Sequence, residues 1–176
     1  ELGVWFIKIA LTDFRATVLW RHEILLRPGQ APDSALNQLI DLVRQAVEIA
    51  GQSGHKIFGL GLGLHGLVDV RSGVLLFGPN FGWRDIPIRR RLEEVFPFPI
   101  FVDNDAKASA IGEHYFGVAR QVDNFVYIIA NIGLGVGIWL GGQMYRGATG
   151  IAGEVGHTTI IPDGPLCRCG NRGCWE

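Results

Sequence analysis

The residues best suited to chemistry lie near the carboxyl end of the sequence. Cys167, Cys169 and Cys174 are the three cysteines of the chain, and His157 stands shortly before them. Three thiolates and one imidazole form a full tetrahedral ligand set for a structural zinc ion, with no position left for a catalytic water. The Cys-x-Cys pair lets two sulfurs reach one ion from a tight loop. These residue types and spacings predict a structural Zn²⁺ site.

Two other interpretations of the cysteines stay open. They could form a disulfide that leaves one thiol unpaired, or they could be three buried structural residues. An odd number of cysteines fits a disulfide framework poorly. Zinc is therefore the favoured interpretation.

Several polar side chains could form a ligand site with this segment: Asn104, Asp105, Glu154, His157 and Glu176. Asp105 follows a predicted strand and opens a predicted helix, so its carboxylate either caps that helix or acts as a general base. Position alone favours the cap. If one nitrogen of His157 binds zinc, the other is fixed toward a neighbouring group. Together these side chains would suit a polyol, whose hydroxyls need several directional partners.

The composition limits the class of protein. Hydrophobic residues make up 48% and charged residues 19% of the chain, which is enough for a sizeable core. The net charge of −1 gives no basic footprint for nucleic acid or an acidic membrane. Apolar runs stop well short of the ~20 residues that span a bilayer, and no signal peptide is visible. We therefore expect a cytoplasmic protein without membrane contact. The missing initiator Met suggests a piece of a longer chain.

Strands and helices alternate along the sequence after an opening β-hairpin. The predicted strands cover residues 2–12, 16–26, 56–64, 99–102, 124–131 and 136–145, and the predicted helices begin at Asp33 or Ser34, at Pro87 and at Ala106. Residues 65–69 are expected to form a turn, and residues 77–85 an irregular loop. This alternation predicts an α/β domain on a mixed sheet. A boundary after the third helix would divide the chain into a first lobe, residues 1–119, and the start of a second, residues 120–176.

Several motifs resemble the ROK family of repressors, open reading frames and sugar kinases. They are Val102-Asp-Asn-Asp-Ala-Lys-Ala-Ser-Ala-Ile-Gly-Glu113 with Phe116-Gly117, Gly147-Ala-Thr-Gly-Ile-Ala-Gly-Glu-Val-Gly-His157, the Cys-x-Cys-Gly-x-x-Gly-Cys-x-Glu run ending at Glu176, Leu64-His-Gly-Leu-Val-Asp69 and Pro79-Asn-Phe-Gly-Trp83. The resemblance covers essentially the whole chain. It implies an actin-like, ribonuclease H-like fold of two α/β lobes with a hexose in the cleft between them.

The resemblance also implies roles for single residues. Asn104, Glu154, His157 and Glu176 would hold sugar hydroxyls, and Gly66 would line the site. Asp105 would deprotonate the attacked hydroxyl in family members that are kinases. The metal ligands would be His157, Cys167, Cys169 and Cys174.

Two phosphate-binding motifs of the family's kinases are altered. The Asp-x-Gly-x-Thr motif aligns with Glu1-Leu-Gly-Val-Trp5. Val4, at the second variable position, stands in place of a glycine, and Trp5 replaces the threonine hydroxyl. The Gly-Thr-Gly-x-Gly motif aligns with the segment Asn131-Ile-Gly-Leu-Gly-Val-Gly137, where Ile132 takes the threonine position. These changes remove donors that phosphoryl transfer from ATP/Mg²⁺ would use. A sugar sensor is therefore favoured over an ATP-dependent sugar kinase.

Within the family, a sensor implies a sugar-responsive transcriptional regulator, such as a xylose or N-acetylglucosamine repressor of carbohydrate metabolism. DNA would be bound only through a winged-helix domain that this chain does not contain, and the full-length protein would form a homodimer or homotetramer. A third reading is a degenerate domain in which zinc supports assembly and no sugar binds. The retained polar residues argue against it.

Overall fold

The chain begins with a twisted β-hairpin. In the computed structural model, which describes residues 1–176, strand β1 (Phe6–Thr12) pairs antiparallel with β2 (Val18–Leu25). One oxygen of Asp13 accepts hydrogen bonds from the backbone N–H groups of Arg15 and Thr17, both at 2.8 Å, and so closes the turn. The predicted hairpin is confirmed. β1 starts later than predicted because the backbone first turns between Gly3 and Phe6.

The long helix α1 (Pro32–Gln52) packs one apolar face into the core. Its buried residues recur every three or four positions, as the sequence predicted: Ala35, Leu36, Leu39, Ile40, Leu42, Val43, Ala46 and Ala50. The predicted cap at Asp33 or Ser34 is wrong, because Ala31 takes the N-cap position and Pro32 occupies the first turn. A proline fits there since its missing N–H has no partner in a first turn anyway.

The rest of the first half is a set of short strands around this helix. They are β3 (Leu60–Leu64), β4 (Leu67–Asp69), β5 (Val74–Gly78), β6 (Trp83–Ile86) and, after helix α2 (Ile88–Glu93), β7 (Ile100–Asn104). β3 is hydrogen-bonded to β7, and β4, β5 and β6 form an antiparallel sheet. Their apolar side chains join those of α1 in one hydrophobic core.

The irregular loop predicted at residues 77–85 is wrong. The end of β5 and the start of β6 occupy most of it, and a tight turn at Gly82 joins them. Trp83 is only 5% exposed and stacks on Phe81 with ring centroids 4.4 Å apart. Burying this aromatic pair outweighs the turn preference of the glycines, proline and asparagine around it.

The second half begins with helix α3 (Asp105–Phe116), followed by β8 (Phe125–Ala130), β9 (Leu134–Leu140) and β10 (Gln143–Met144). β9 lies between its two neighbours and pairs antiparallel with both. α3 lies directly on β9: a Cβ at Gly137 would come within 2.5 Å of the Ala110 Cβ. After β10 the chain has only a 3₁₀ turn, Val155–His157, and loops closed by isolated bridges.

The strands are hydrogen-bonded in groups of two and three, and the chain divides into two compact units, Glu1–Asp103 and Asn104–Glu176. The lobe boundary expected between residues 119 and 120 stays a prediction. No helix combines the length and the apolar character that a membrane crossing requires.

Candidate functional site

The predicted zinc ligands come together in the second unit. The ligand atoms of His157, Cys167, Cys169 and Cys174 all lie within 4.8 Å of one another. Cys167 Sγ is 3.7 Å from His157 Nδ1, and Cys169 Sγ is 3.7 Å from Cys174 Sγ. A tetrahedral zinc with bonds of about 2.3 Å places two sulfurs about 3.8 Å apart. The cluster therefore has the composition and size of a closed, four-ligand metal site.

The cysteines are free thiols, so the disulfide interpretation finds no support in this arrangement. Without a cation to offset it, burial raises the pKa of the Cys174 thiol to about 12, with hydrogen bonds from Cys169 and Cys167 adding to the effect. A bound divalent cation would reverse this balance because it favours the thiolate. A metal at this point would hold the three sulfurs as thiolates.

The loop that carries the cluster is held by its own backbone. Cys167 N–H donates to Asn171 at 2.8 Å, and Trp175 N–H donates to Thr158 at 3.0 Å. Gly173 adopts φ +63°, and a Cβ there would run into the carbonyl oxygen of residue 161. Only glycine allows the chain to turn so tightly before Cys174.

His157 has a different neighbour on each side of its ring. Nδ1 faces Cys167, and Nε2 lies 3.8 Å from Glu176 Oε2. The same carboxylate oxygen accepts a hydrogen bond from the backbone N–H of Leu134 at 3.4 Å. Gly133 leaves room for it, since a Cβ there would be 2.9 Å from that oxygen. With Nδ1 on a metal, Nε2 carries the proton and becomes a donor aimed toward Glu176.

Asn104 and Asp105 stand at the start of α3, but their roles are the reverse of the favoured interpretation. Asn104 is the N-cap: its side-chain oxygen accepts from the Lys107 N–H at 3.1 Å. Asp105 is the first helical residue, and its Oδ1 accepts from the Ala106 N–H at 2.8 Å and from the Asn104 side chain at 3.0 Å. The cap prediction for Asp105 is therefore wrong. Its carboxylate is fixed at a helix N-terminus, where negative charge is favoured.

Sequence reasoning missed Lys107, which is only 3% exposed. Its ammonium group donates to the Gly150 carbonyl at 2.7 Å and lies 3.9 Å from Glu154 Oε1. It thus links the start of α3 to the loop that bears Glu154. The sequence signal was a charged residue inside the alanine-rich run between Ala106 and Ala110.

Gly66 lies in the first unit, at the turn between β3 and β4. Its φ is +129°, and a Cβ would come 2.6 Å from the Phe77 carbonyl oxygen, so the position needs glycine. Next to it, His65 Nε2 lies 2.8 Å from Asn80 Nδ2. The contact between Gly66 and a ligand stays a prediction.

Trp5 and Ile132, the residues expected at the phosphate-loop positions, both have apolar side chains. Trp5 is 52% exposed while its carbonyl accepts from Leu26 N–H at 2.8 Å. Ile132 sits in the turn between β8 and β9, which is closed by a hydrogen bond from Asn131 N–H to Gly133 at 3.0 Å. The backbone therefore closes this turn, and the Ile132 side chain offers no hydrogen-bond donor there.

Comparison with known proteins shows which family the chain belongs to. A sequence model of the ROK family matches residues 1–176. The chain belongs to the ROK family. It is 39% identical over 176 residues to the xylose repressor of Caldicellulosiruptor bescii. The matched region covers 100% of this chain and 44% of the repressor. It is 36% identical over 176 residues to the glucokinase of Streptomyces coelicolor, covering 100% of this chain and 53% of the enzyme.

Solved structures agree on the fold. A ROK glucokinase from Streptomyces griseus, in complex with glucose and AMPPNP, superposes with a TM-score of 0.89 at 34% identity, over 99% of this chain and 54% of that one. A ROK transcriptional regulator, homologous to the Mlc protein of Escherichia coli, gives 0.85 at 32% identity, over 98% and 43%. The fold is the actin-like, ribonuclease H-like fold of the ROK sugar kinases. The chain spans about half the length of the curated relatives it matches.

Proposed function

We propose that this chain is the sugar-sensing part of a ROK-type transcriptional regulator, and that it binds a hexose or a pentose such as xylose without phosphorylating it. The observation that carries the proposal is a contrast between two sets of positions. The polar residues of the second unit are kept and held in place, whereas Val4, Trp5 and Ile132 replace groups that would contact phosphates. A site built for reporting needs the first set alone.

In this proposal the sugar hydroxyls meet donors and acceptors in alternation. Glu154 and Glu176 accept, Asn104 offers an amide, and His157 donates from Nε2 when Nδ1 is on the metal. The metal is a structural zinc, because three thiolates and an imidazole leave no open position. Gly66, in the first unit, is proposed to contact the sugar, and this role rests on the resemblance to the family alone. Family membership and the xylose repressor relatives support this reading.

Isothermal titration of the full-length protein with D-glucose, N-acetylglucosamine and D-xylose tests the proposal. We expect one of them to bind, and Glu176→Gln to weaken binding by about 10–100-fold because an acceptor with full charge is lost. Glu48→Gln is the matched control, since it makes the same chemical change on the exposed face of α1. If the protein binds no sugar, the sensor reading fails and the domain is better seen as a zinc-supported assembly module.

An ATP-dependent sugar kinase is the second candidate, favoured by the glucokinase relatives and by the fixed carboxylate of Asp105. A kinase would use that carboxylate to take the proton from the attacked hydroxyl, with Mg²⁺ and ATP supplying the phosphoryl group. Sugar-dependent ADP release from ATP distinguishes the two. Turnover that disappears in Asp105→Asn would replace the sensor by a kinase.

We further propose that sugar acts by favouring one of two states of the full-length regulator, a homodimer or homotetramer in the cytoplasm, whose winged-helix domains bind DNA. A ligand shifts such a balance only through its different affinity for the two states. Operator DNA binding measured with and without the sugar that binds in titration checks this step. Equal DNA affinity in both conditions would contradict it.

A further inference from the structure

Lys107 is a buried cation in an unfavourable place. It is the third residue of α3, where the helix dipole disfavours positive charge, and its side chain is 4% exposed. Its neighbours on the inward face of the helix, Ala106 and Ala110, are fully buried alanines. A buried ammonium loses its hydration and persists only where other groups replace the lost water. The contacts of Lys107 therefore have to compensate for its burial.

Two contacts of the Lys107 ammonium group reach the same loop. Its ammonium donates to the Gly150 carbonyl at 2.7 Å and lies 3.9 Å from Glu154 Oε1. This loop follows β10 and leads to Glu154. It contains Gly147, Gly150 and Gly153, each with positive φ. Glycines that adopt this conformation leave the unbound backbone many alternatives. Within the loop the Ala152 N–H donates to the Arg146 carbonyl at 3.1 Å, and Lys107 adds a tether from α3, outside the loop.

We propose that Lys107 is a positioning residue for sugar binding, which fixes the carboxylate of Glu154 and the loop from Gly147 to Gly153. The inference rests on the proposed function, since Glu154 is one of the residues proposed to hold sugar hydroxyls. The Lys107 side chain is almost wholly buried, while the Glu154 side chain is 37% exposed. Lys107 therefore acts through Glu154, and Glu154 meets the ligand.

The test is a double-mutant cycle in the full-length, metal-containing protein. The affinities of D-glucose, N-acetylglucosamine and D-xylose are measured by titration for the unaltered protein, Lys107→Met, Glu154→Gln and the double variant. Each single change is expected to weaken binding by about 10–100-fold, and the double variant to bind no more weakly than the weaker single one, because both remove the same interaction. Lys56→Met, an exposed lysine of the first unit, serves as the matched control and should bind as the unaltered protein does.

A second measurement needs no sugar. Arg146 precedes Gly147, so trypsin can cleave at the start of the tethered loop. Loss of the tether should speed cleavage at this bond in Lys107→Met and leave it unchanged in Lys56→Met. If Lys107→Met does not fold, Lys107→Gln takes its place in the sugar titrations, since it removes the charge that faces Glu154 and keeps a polar side chain.

The outcomes separate the two proposals. Sugar binding that is unchanged in Lys107→Met, or losses that simply add in the double variant, would overturn the role of Lys107 and leave the sensor intact. Cleavage at Arg146 that is no faster in Lys107→Met would overturn the tether. If the unaltered protein binds none of D-glucose, N-acetylglucosamine and D-xylose, the sensor is overturned and, with it, the positioning role.

Discussion

Replacing Gly133 by alanine tests whether the carboxylate of Glu176 belongs to the sugar site. Gly133 lies in the turn between β8 and β9, and a Cβ there would be 2.9 Å from Glu176 Oε2 and 3.1 Å from its carboxyl carbon. The φ of Gly133 is not in the left-handed region, so alanine can adopt the same backbone. The added methyl group therefore acts mainly by pushing the carboxylate.

The size of this push follows from the distances. Ordinary contacts with a Cβ begin near 3.4 Å, so the carboxylate oxygen must move by roughly 0.5 Å, which is the tolerance of a well-formed binding site. A displacement of this size should weaken sugar binding by about tenfold, or about 1.4 kcal/mol. Stability should change little because the displaced group is the end of a flexible side chain.

The assay is titration with the sugar that the unaltered protein binds, together with urea unfolding of each variant. Gly112→Ala is the matched control in the same unit: a Cβ at Gly112 meets nothing within 4 Å, and the residue lies inside α3. This change should leave affinity alone and raise the free energy of unfolding by about 0.5–1 kcal/mol, the usual gain for alanine over glycine in a helix.

Two results would refute the reasoning. If Gly133→Ala binds sugar as well as the unaltered protein does, then the carboxylate of Glu176 is not a ligand of the sugar. If its unfolding free energy falls as far as its binding free energy, then the methyl group acts on the fold and the affinity loss says nothing about the site.

Other perturbations address the fold, the metal and the surface. Gly137→Ala should lower the free energy of unfolding in urea by about 1–3 kcal/mol, because its Cβ would meet the Ala110 Cβ at 2.5 Å in the packed layer between α3 and β9; unchanged stability would contradict that packing. Elemental analysis should find about one zinc per chain, and Cys174→Ser should lose it together with thermal stability; full zinc content in this variant would exclude Cys174 as a ligand. Hydrogen bonds from the Ser72 hydroxyl and the Arg71 N–H lower the pKa of Asp69, so its stabilising effect is complete above the ordinary aspartate value of about 3.9 and fades as the pH falls through the lowered value. Acid titration followed by NMR should show the lowered pKa, and Ser72→Ala should move it back.

Local patterns predicted the features whose partners are close in sequence. The His157 and cysteine cluster could be predicted directly because Cys167, Cys169 and Cys174 lie on one short loop, and a metal site of this kind depends on ligand type more than on the rest of the fold. The buried face of α1 followed from the spacing of its apolar residues. The opening hairpin followed from its strand-forming residues and from the turn at Asp13.

Features that depend on distant partners could not be predicted in this way. Lys107 reads as a solvent-exposed lysine until its partner at Gly150, 43 residues away in the sequence, is known. The strand that begins at Trp83 was hidden for a similar reason, since its indole N–H donates to the Gln30 carbonyl 53 residues earlier. Asn104 and Asp105 are both acceptable N-cap residues, and only the backbone conformation shows which of the two has left the helix.

His157 connects the candidate metal site to the residues proposed to bind sugar. Its Nδ1 faces the sulfurs and its Nε2 faces Glu176, while the Glu176 backbone N–H donates to Gly156 at 2.9 Å, next to the histidine. A metal bound at Nδ1 would therefore fix the ring, its tautomer and the chain that carries the carboxylate at the same time. Such an ion would contribute no catalytic water. Its contribution would be the placement of a donor and an acceptor side by side, which is what recognition of adjacent hydroxyls requires.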